Sequence, residues 1–253
     1  MPTILEQPII KKADVLAMLR QKVREIEGFK VPSPLTSMCF GIDKIDQSFA
    51  DGSMPLGTTH EFITDVAENT AATVSFIASV LAKMNQSTGT VLWISKSKTL
   101  YVPGLLPFGL NPDRIVFIRV SRDQEALWAI EESLRAKGLM AVVGEIGNAD
   151  FIATQRLQHA VEKSGTTGFL LRINPKQQEQ SSVCVTRWKI RPIPSEEENG
   201  LPGVGTPRWK VALEKVRHGQ PGQWDIEWYD NEFRLINPPI KPTANPFVRM
   251  KTA

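Results

Sequence analysis

The sequence predicts an α/β domain of three layers, in which a mostly parallel central sheet lies between helices and continues into antiparallel strands towards the C-terminal end. Three observations predict this fold class. Five short apolar runs are typical of buried strands, stretches with helical period separate most of them, and period-two alternation replaces this pattern after residue 173. The five runs span residues 61–64, 90–95, 115–120, 139–143 and 168–173.

An amphipathic helix is predicted ahead of this core, over residues 13–27. Its apolar residues recur at three- and four-residue steps and form one stripe: Val15, Leu16, Leu19, Val23 and Ile26. Two interpretations are equally open. In the first, the stripe docks on a partner protein or on a neighbouring copy of the chain, which would be self-association. In the second, it folds back on its own domain.

Three further helices are predicted between the apolar runs, over residues 70–84, 124–137 and 151–163. Strands that alternate with helices of this length form βαβ units, and the strand twist makes their crossovers right-handed. This alternation therefore predicts a parallel sheet.

Period-two alternation predicts three later strands over residues 183–191, 208–217 and 223–229. We expect them to form an antiparallel extension of the sheet. One face of this extension would be apolar and rich in tryptophan, which favours packing in a core or interface over base stacking. Its residues are Trp188, Ile190, Trp209, Val211, Leu213, Trp224, Ile226 and Trp228.

The chain thus divides into an N-terminal helical segment (1–30), a core domain (31–236) and a proline-rich tail (237–253). The tail has four prolines and no periodicity, and we expect it to be disordered. Apolar residues stand among basic ones near its end, at Phe247, Val248 and Met250. A passive end is slightly favoured over a partner-binding peptide.

Composition excludes several classes of protein. A formal net charge of +3 permits nucleic-acid binding without implying it. Cys39 and Cys184 have no Cys or His neighbour at metal-ligand spacing, so we expect no metal site and a reducing compartment. The three histidines lack the neighbours of a catalytic group. Without a run of about 18 apolar residues, the chain is expected to be soluble and cytoplasmic and to have no membrane partner.

A phosphate-binding turn normally follows the first strand of such a sheet. Here residues 64–71 read TDVAENTA, where the pattern G-x-x-x-x-G-K-[ST] would supply glycines, a lysine and a magnesium-binding hydroxyl. Asp65 and Glu68 would also repel a triphosphate. We therefore expect no cofactor and no ATP binding in the usual mode. All four pattern positions depart from it: Thr64, Asn69, Thr70 and Ala71.

The segments around this turn resemble the RecA fold. FGIDKID (40–46) and GSMPLGTTHEF (52–62) are similar to the approach to a RecA phosphate loop, and the resemblance extends over residues 13–236. It implies a RecA-like, P-loop-type domain. The departures imply a degenerate site: Lys96 and Lys98 stand where RecA has a catalytic glutamate, and Gly144 stands at the acidic Walker B position. The resemblance thus implies a pseudo-ATPase and not an enzyme.

The chain is similar more specifically to the ImuA family. The similarity rests on GIDKID and MPLG, on residues 100–146 and 156–172, and on TRWKIRP and WKVALEKVR near the end. It implies a non-catalytic adaptor or regulator in damage-induced (SOS) translesion synthesis. The implied partners are a Y-family-like polymerase homologue of the ImuB type and an error-prone replicative-type polymerase, with RecA as a further candidate.

Two alternatives to the adaptor interpretation stay open. One is a DNA-repair ATPase with an unorthodox nucleotide site, in which Lys96 and Lys98 would act. The other is a damage-induced cell-division inhibitor, which filamentation on overexpression would distinguish.

A basic stripe is the candidate surface for weak DNA binding or for a partner. Alternating basic residues project from the polar face of the antiparallel strands, and such a row could follow a phosphate backbone. Asp225 and Glu227 project from the same face, and this favours a solvated face with compensated charges by roughly two to one. The stripe consists of Arg187, Lys189, Arg191, Arg208 and Lys210.

Overall fold

The computed structural model describes residues 36–84, 89–96, 100–147, 149–175, 182–195 and 205–236. The predicted helix over residues 13–27 and the tail 237–253 lie outside the described residues. The division of the chain into three segments therefore stays a prediction.

Eleven strands, four α-helices and two short 3-10 helices make up the described part of the chain. The strands are β1 (Ser37–Met38), β2 (Met54–Pro55), β3 (Thr59–Thr64), β4 (Thr90–Ser95), β5 (Ile115–Arg119), β6 (Leu139–Ile146), β7 (Thr167–Ile173), β8 (Thr186–Pro192), β9 (Arg208–Val216), β10 (Gly222–Tyr229) and β11 (Glu232–Leu235). The α-helices are α1 (Asp43–Asp46), α2 (Ala67–Lys83), α3 (Asp123–Arg135) and α4 (Phe151–Ser164), and the 3-10 helices span Val102–Phe108 and Pro112–Arg114.

Nine of these strands form one mixed sheet in the order β11-β10-β9-β8-β3-β7-β6-β4-β5. In this spatial order, neighbouring strands from β8 through β3, β7, β6 and β4 to β5 are parallel. Neighbouring strands from β8 through β9 and β10 to β11 are antiparallel. The predicted fold class, a mostly parallel sheet with antiparallel C-terminal strands, is confirmed.

The prediction was wrong about β8. We expected it to begin the antiparallel extension, but it lies parallel to β3, with His60 opposite Thr186, and antiparallel only to β9. A parallel connection needs about a dozen residues, and the chain between β7 and β8 is long enough to return to the starting end of the sheet. Alternation within a strand does not encode the direction of its neighbour.

Helices cover both faces of the parallel strands. On one face, α2 and the 3-10 helix Val102–Phe108 pack on an aromatic core that contains Phe40, Phe62, Phe76 and Trp188. On the other face, α3 and α4 pack on a second, aliphatic cluster. The predicted core packing of the tryptophans is confirmed for Trp188, Trp209 and Trp228, which are at most 3% exposed. Alternate residues of β6 enter the two clusters, as expected for a strand buried on both faces.

Candidate functional site

The turn from β3 into α2 is two residues long and does not form the eight-residue loop that we considered at residues 64–71. β3 ends at Thr64 and α2 begins at Ala67, so Asp65 and Val66 make the whole connection. Neither residue has a positive φ. Backbone amides converge on phosphate where left-handed residues alternate with right-handed ones, and glycine adopts that conformation at least cost. This segment has no glycine, and the helix begins directly after Val66.

The four positions aligned with the phosphate pattern do not all line the same pocket. Thr64 is buried, and its hydroxyl donates to the Arg172 carbonyl at 3.3 Å. Asn69 is buried in the first turn of α2. Thr70 and Ala71 follow it and face an adjacent pocket. Among the described residues, nothing forms a hydrogen bond with the buried Thr70 Oγ1.

At the end of β6, Gly144 faces the helical layer of α3 and α4. A Cβ at Gly144 would lie 2.2 Å from Ile130 Cδ1, so even a methyl group does not fit unless the Ile130 side chain or α3 shifts. The next residue, Glu145, projects from the opposite face, towards α2 and the pocket. The carboxyl end of this strand therefore does present an acid to the crevice, one position after the residue that the motif alignment indicated.

Glu145 is buried and bonded to neutral donors. Trp93 Nε1 donates to its carboxylate at 2.9 Å, and the Ser95 hydroxyl donates to the second oxygen. Within the described part of the chain, no Lys, Arg or His forms an ion pair with it. Sequence analysis missed Glu145, although strand alternation could have found it, since Ala141, Val143 and Glu145 share one side of β6.

The crevice itself is a pocket of about 740 Å³. It lies at the carboxyl ends of β6, β7 and β8, between the first turns of α2 and the 3-10 helix Val102–Phe108, as expected for a ligand crevice in a parallel sheet. Its size and apolar lining are typical of sites that bind a largely apolar group. Most of the wall is apolar: Val74, Leu100, Tyr101, Leu105, Phe108, Ile173, Ile193 and Trp209.

Lys96, one of the two lysines that the ATPase alternative requires, follows β4 and forms an ion pair with Asp123 at the start of α3. The hydrogen bond from Lys96 lowers the pKa of Asp123, and this effect exceeds the opposing effect of burial. Lys98 lies outside the described residues. Lys96 is thus bound to a carboxylate of its own domain.

The five residues of the basic stripe lie on one face of β8 and β9, and each has a carboxylate within 4.0 Å. A row of this kind presents less net charge to a phosphate backbone than the basic residues alone would suggest. DNA binding by the stripe stays a prediction. The pairs are Arg187–Glu61, Lys189–Glu214, Arg191–Asp65, Arg208–Glu227 and Lys210–Asp225.

One of these pairs belongs to a buried charge cluster. Glu61 in β3 is fully buried and accepts hydrogen bonds from Arg172 at 2.6 Å and from Arg187 at 2.7 Å. Arg172 is itself only 1% exposed. The cluster ties β3 to both neighbours, β7 and β8, and each of its members comes from a different strand.

The candidate docking stripe of Val15, Leu16, Leu19, Val23 and Ile26 lies outside the described residues. Within the ranges that the structure covers, no group of three or more His, Cys, Asp or Glu side chains could hold a metal ion. No helix in those ranges is long and apolar enough to cross a membrane.

These features define a class: a mixed α/β protein in which an apolar pocket occupies the crevice at the strand ends and a two-residue turn without glycine joins β3 to α2. No family model matches the chain. Protein ImuA of Caulobacter vibrioides, in strains NA1000/CB15N and ATCC 19089/CB 15, is 33% identical over 227 residues, which cover 83% of this chain and 92% of that protein. The chain belongs to the ImuA family.

A crystal structure of SulA from Pseudomonas aeruginosa is also similar, at 21% identity and a TM-score of 0.40. The match covers 46% of this chain and 97% of the SulA chain.

Proposed function

We propose that this protein is a non-catalytic adaptor in a damage-inducible mutagenesis cassette. In this role it binds the cassette's Y-family-like polymerase homologue and its error-prone replicative-type polymerase, and RecA is a further candidate partner. Membership in the ImuA family supports the setting, and the crevice supports the non-catalytic role.

The chemistry of the crevice is the observation that carries this proposal. A nucleoside triphosphate needs converging amides, a lysine and a metal-binding hydroxyl. The crevice instead has a two-residue turn with Asp65 at its start and an apolar wall with the carboxylate of Glu145. The Glu145 carboxylate, which forms no ion pair with a described Lys, Arg or His, would repel a triphosphate, and this repulsion is strong where water is excluded. Asp65 contributes less, because it is paired with Arg191. An apolar group of a protein suits the pocket better.

A pull-down tests the adaptor role. The tagged protein is recovered, after nuclease treatment, from cells grown with and without DNA damage, and the proteins bound to it are identified by mass spectrometry. Polymerase-cassette subunits or RecA in the damaged sample support the proposal. If neither is enriched relative to an unrelated tagged protein, the adaptor role is wrong.

A nucleotide assay tests the non-catalytic role separately. We expect no saturable Mg-ATP binding and no hydrolysis above the level of a heat-denatured sample. The ATPase alternative predicts hydrolysis that Lys96→Ala abolishes. Lys163→Ala is the matched control, because Lys163 is exposed in the last turn of α4 and does not line the pocket. Hydrolysis that is sensitive to Lys96 alone would overturn the pseudo-ATPase proposal.

A further inference from the structure

The outer face of α3 and α4 carries an exposed apolar patch. Trp128 in α3 is 65% exposed, and Ile152 in α4 is 64% exposed. The other tryptophans are buried or half-buried in the aromatic core. Tryptophan is enriched at the centres of protein interfaces, where its large apolar side chain leaves water. The patch therefore has the composition of an interaction surface.

The two side chains of this patch lie side by side. Each helix connects two parallel strands of the sheet, so α3 and α4 run in the same direction, and they pack against each other. An ion pair joins Glu131 of α3 to Arg156 of α4. Trp128 lies three residues before the first member of this pair, and Ile152 lies four residues before the second. Because side chains at these spacings share one face of a helix, the patch lies one turn before the ion pair on both helices.

The ion pairs around the patch compensate one another. Three arginines and three glutamates form them, and the pairs stand both before and after Trp128 along α3. A strongly charged partner finds no opposite net charge to recognise in these pairs. A surface that meets its own copy needs such a balance, because a two-fold contact brings the same residues of both copies together. The pairs are Arg122–Glu125, Arg135–Glu131, Arg135–Glu132 and Arg156–Glu131.

The size of this face suits a small interface. The two helices have 13 and 14 residues. At about 1.5 Å per residue and about 10 Å between helix axes, their outer face measures about 20 Å by 20 Å. A standard interface buries about 800 Å² of accessible surface on each partner. A face of this size lies at the lower end of that class, so it predicts a weak and reversible contact.

We propose that the outer face of α3 and α4 is a self-association surface on which two copies of the chain meet across a two-fold axis. Trp128 and Ile152 of one copy pack against the same residues of the other, and the ion pairs form the rim. The pocket lies beside α2 on the other side of the sheet, so the dimer leaves it open. The proposal concerns the purified chain without polymerase, RecA or nucleotide, so its failure is distinct from failure of the proposed function.

Sedimentation equilibrium of the full chain over a series of concentrations tests the proposal. We expect a reversible equilibrium between monomer and dimer. Its dissociation constant should change little with salt, because the centre of the contact is apolar and the rim charges are compensated. A monomer at every concentration would overturn the proposal, and this is the result expected if a different protein, or another part of the same chain, covers the patch.

Two variants show whether this face is responsible. Trp128→Glu should raise the dissociation constant of the dimer at least about thirtyfold, the loss typical of a central interface tryptophan. Tyr101→Glu is the matched control and should leave the constant unchanged, because Tyr101 is 72% exposed but lies on the α2 side of the sheet. Circular dichroism confirms that both variants fold. A dimer that Trp128→Glu does not weaken would assign self-association to another surface, such as the stripe predicted over residues 15–26.

Thiol crosslinking locates the contact independently. Cys39→Ser first removes the exposed native thiol. Gln124→Cys then places a thiol one turn before Trp128 on the same face of α3, and a two-fold axis brings the two copies of this position close together. A bifunctional maleimide should therefore yield covalent dimers. Gln223→Cys is the matched control, because Gln223 is also exposed but lies in β10. Equal yields from the two positions, or no dimer from Gln124→Cys, would overturn the proposal.

Discussion

The buried carboxylate of Glu61 allows a quantitative prediction. Glu61 is fully buried between Arg172, which is 1% exposed, and Arg187, whose side chain is 16% exposed. Glu61→Gln preserves the shape of the side chain but removes its charge. Both guanidinium groups then lose their anionic acceptor, and Arg172 already has two buried nitrogens, Nε and Nη2, without a partner among the described residues.

The size of the effect follows from this geometry. Removal of one partner from a buried ion pair costs about 3–5 kcal/mol, because the remaining charge stays desolvated. Since glutamine still offers one carbonyl oxygen, we expect Glu61→Gln to lower the free energy of unfolding by about 3 kcal/mol, out of a typical total of about 5–15 kcal/mol.

Urea unfolding, followed by tryptophan fluorescence and circular dichroism, measures this loss. Glu214→Gln is the matched control, since Glu214 is also paired with a basic residue, Lys189, but its side chain is 37% exposed. A surface pair contributes about 0–1 kcal/mol. If Glu61→Gln costs no more than Glu214→Gln, the argument from desolvation is refuted.

Three further predictions concern single buried groups. Gly144→Ala should destabilise the fold by about 1–3 kcal/mol through overpacking against Ile130. Ile130→Ala should relieve part of this loss in the double variant. Additive losses of the two variants in urea unfolding would contradict the clash. Burial lowers the pKa of His60 from 6.5 to about 4, so His60 stays neutral in the folded state while the unfolded state takes up a proton. Stability should therefore fall by about 3 kcal/mol as the pH drops from 6.5 to 4, and His60→Gln should flatten this part of the pH profile; an unchanged profile would argue against it. A thiol reagent should label the exposed Cys39 in the native protein and Cys184 only after unfolding, since Cys184 is buried and burial raises its pKa; rapid labelling of both thiols would contradict the structure.

The sequence predicted most of the sheet because buried strands correspond to local apolar runs in the chain. β4 occupies the predicted residues 90–95, and α4 extends one residue beyond the predicted range 151–163. Elements with little periodicity were missed. The 3-10 helix Val102–Phe108 contains two prolines and too few residues for a helical period, and β11 is only four residues long. Local patterns predict regular elements and say little about such short ones.

The candidate site was predicted less completely. Motif comparison located the crevice, and the absence of glycine at residues 64–71 is readable from the chain. The two-residue turn was not predicted, because where a helix begins after a strand depends on what its first turn packs against. Glu145 was missed because the motif alignment placed the acidic position at Gly144, one residue earlier. The alternation of β6 would have indicated Glu145. Ion pairs such as Arg187–Glu61 join residues 126 positions apart. The order of the strands in the sheet decides which residues become partners.

The sequence by itself determined the fold class, the family resemblance and the absence of a glycine-rich loop, because apolar period and residue identity are local properties. Only the tertiary structure decided that β8 is parallel to β3, that Glu145 and not Gly144 faces the crevice, and that each residue of the basic stripe has a carboxylate partner. These features depend on which strands become neighbours and on which side of the sheet each residue lies. The long-range packing of the whole domain sets both.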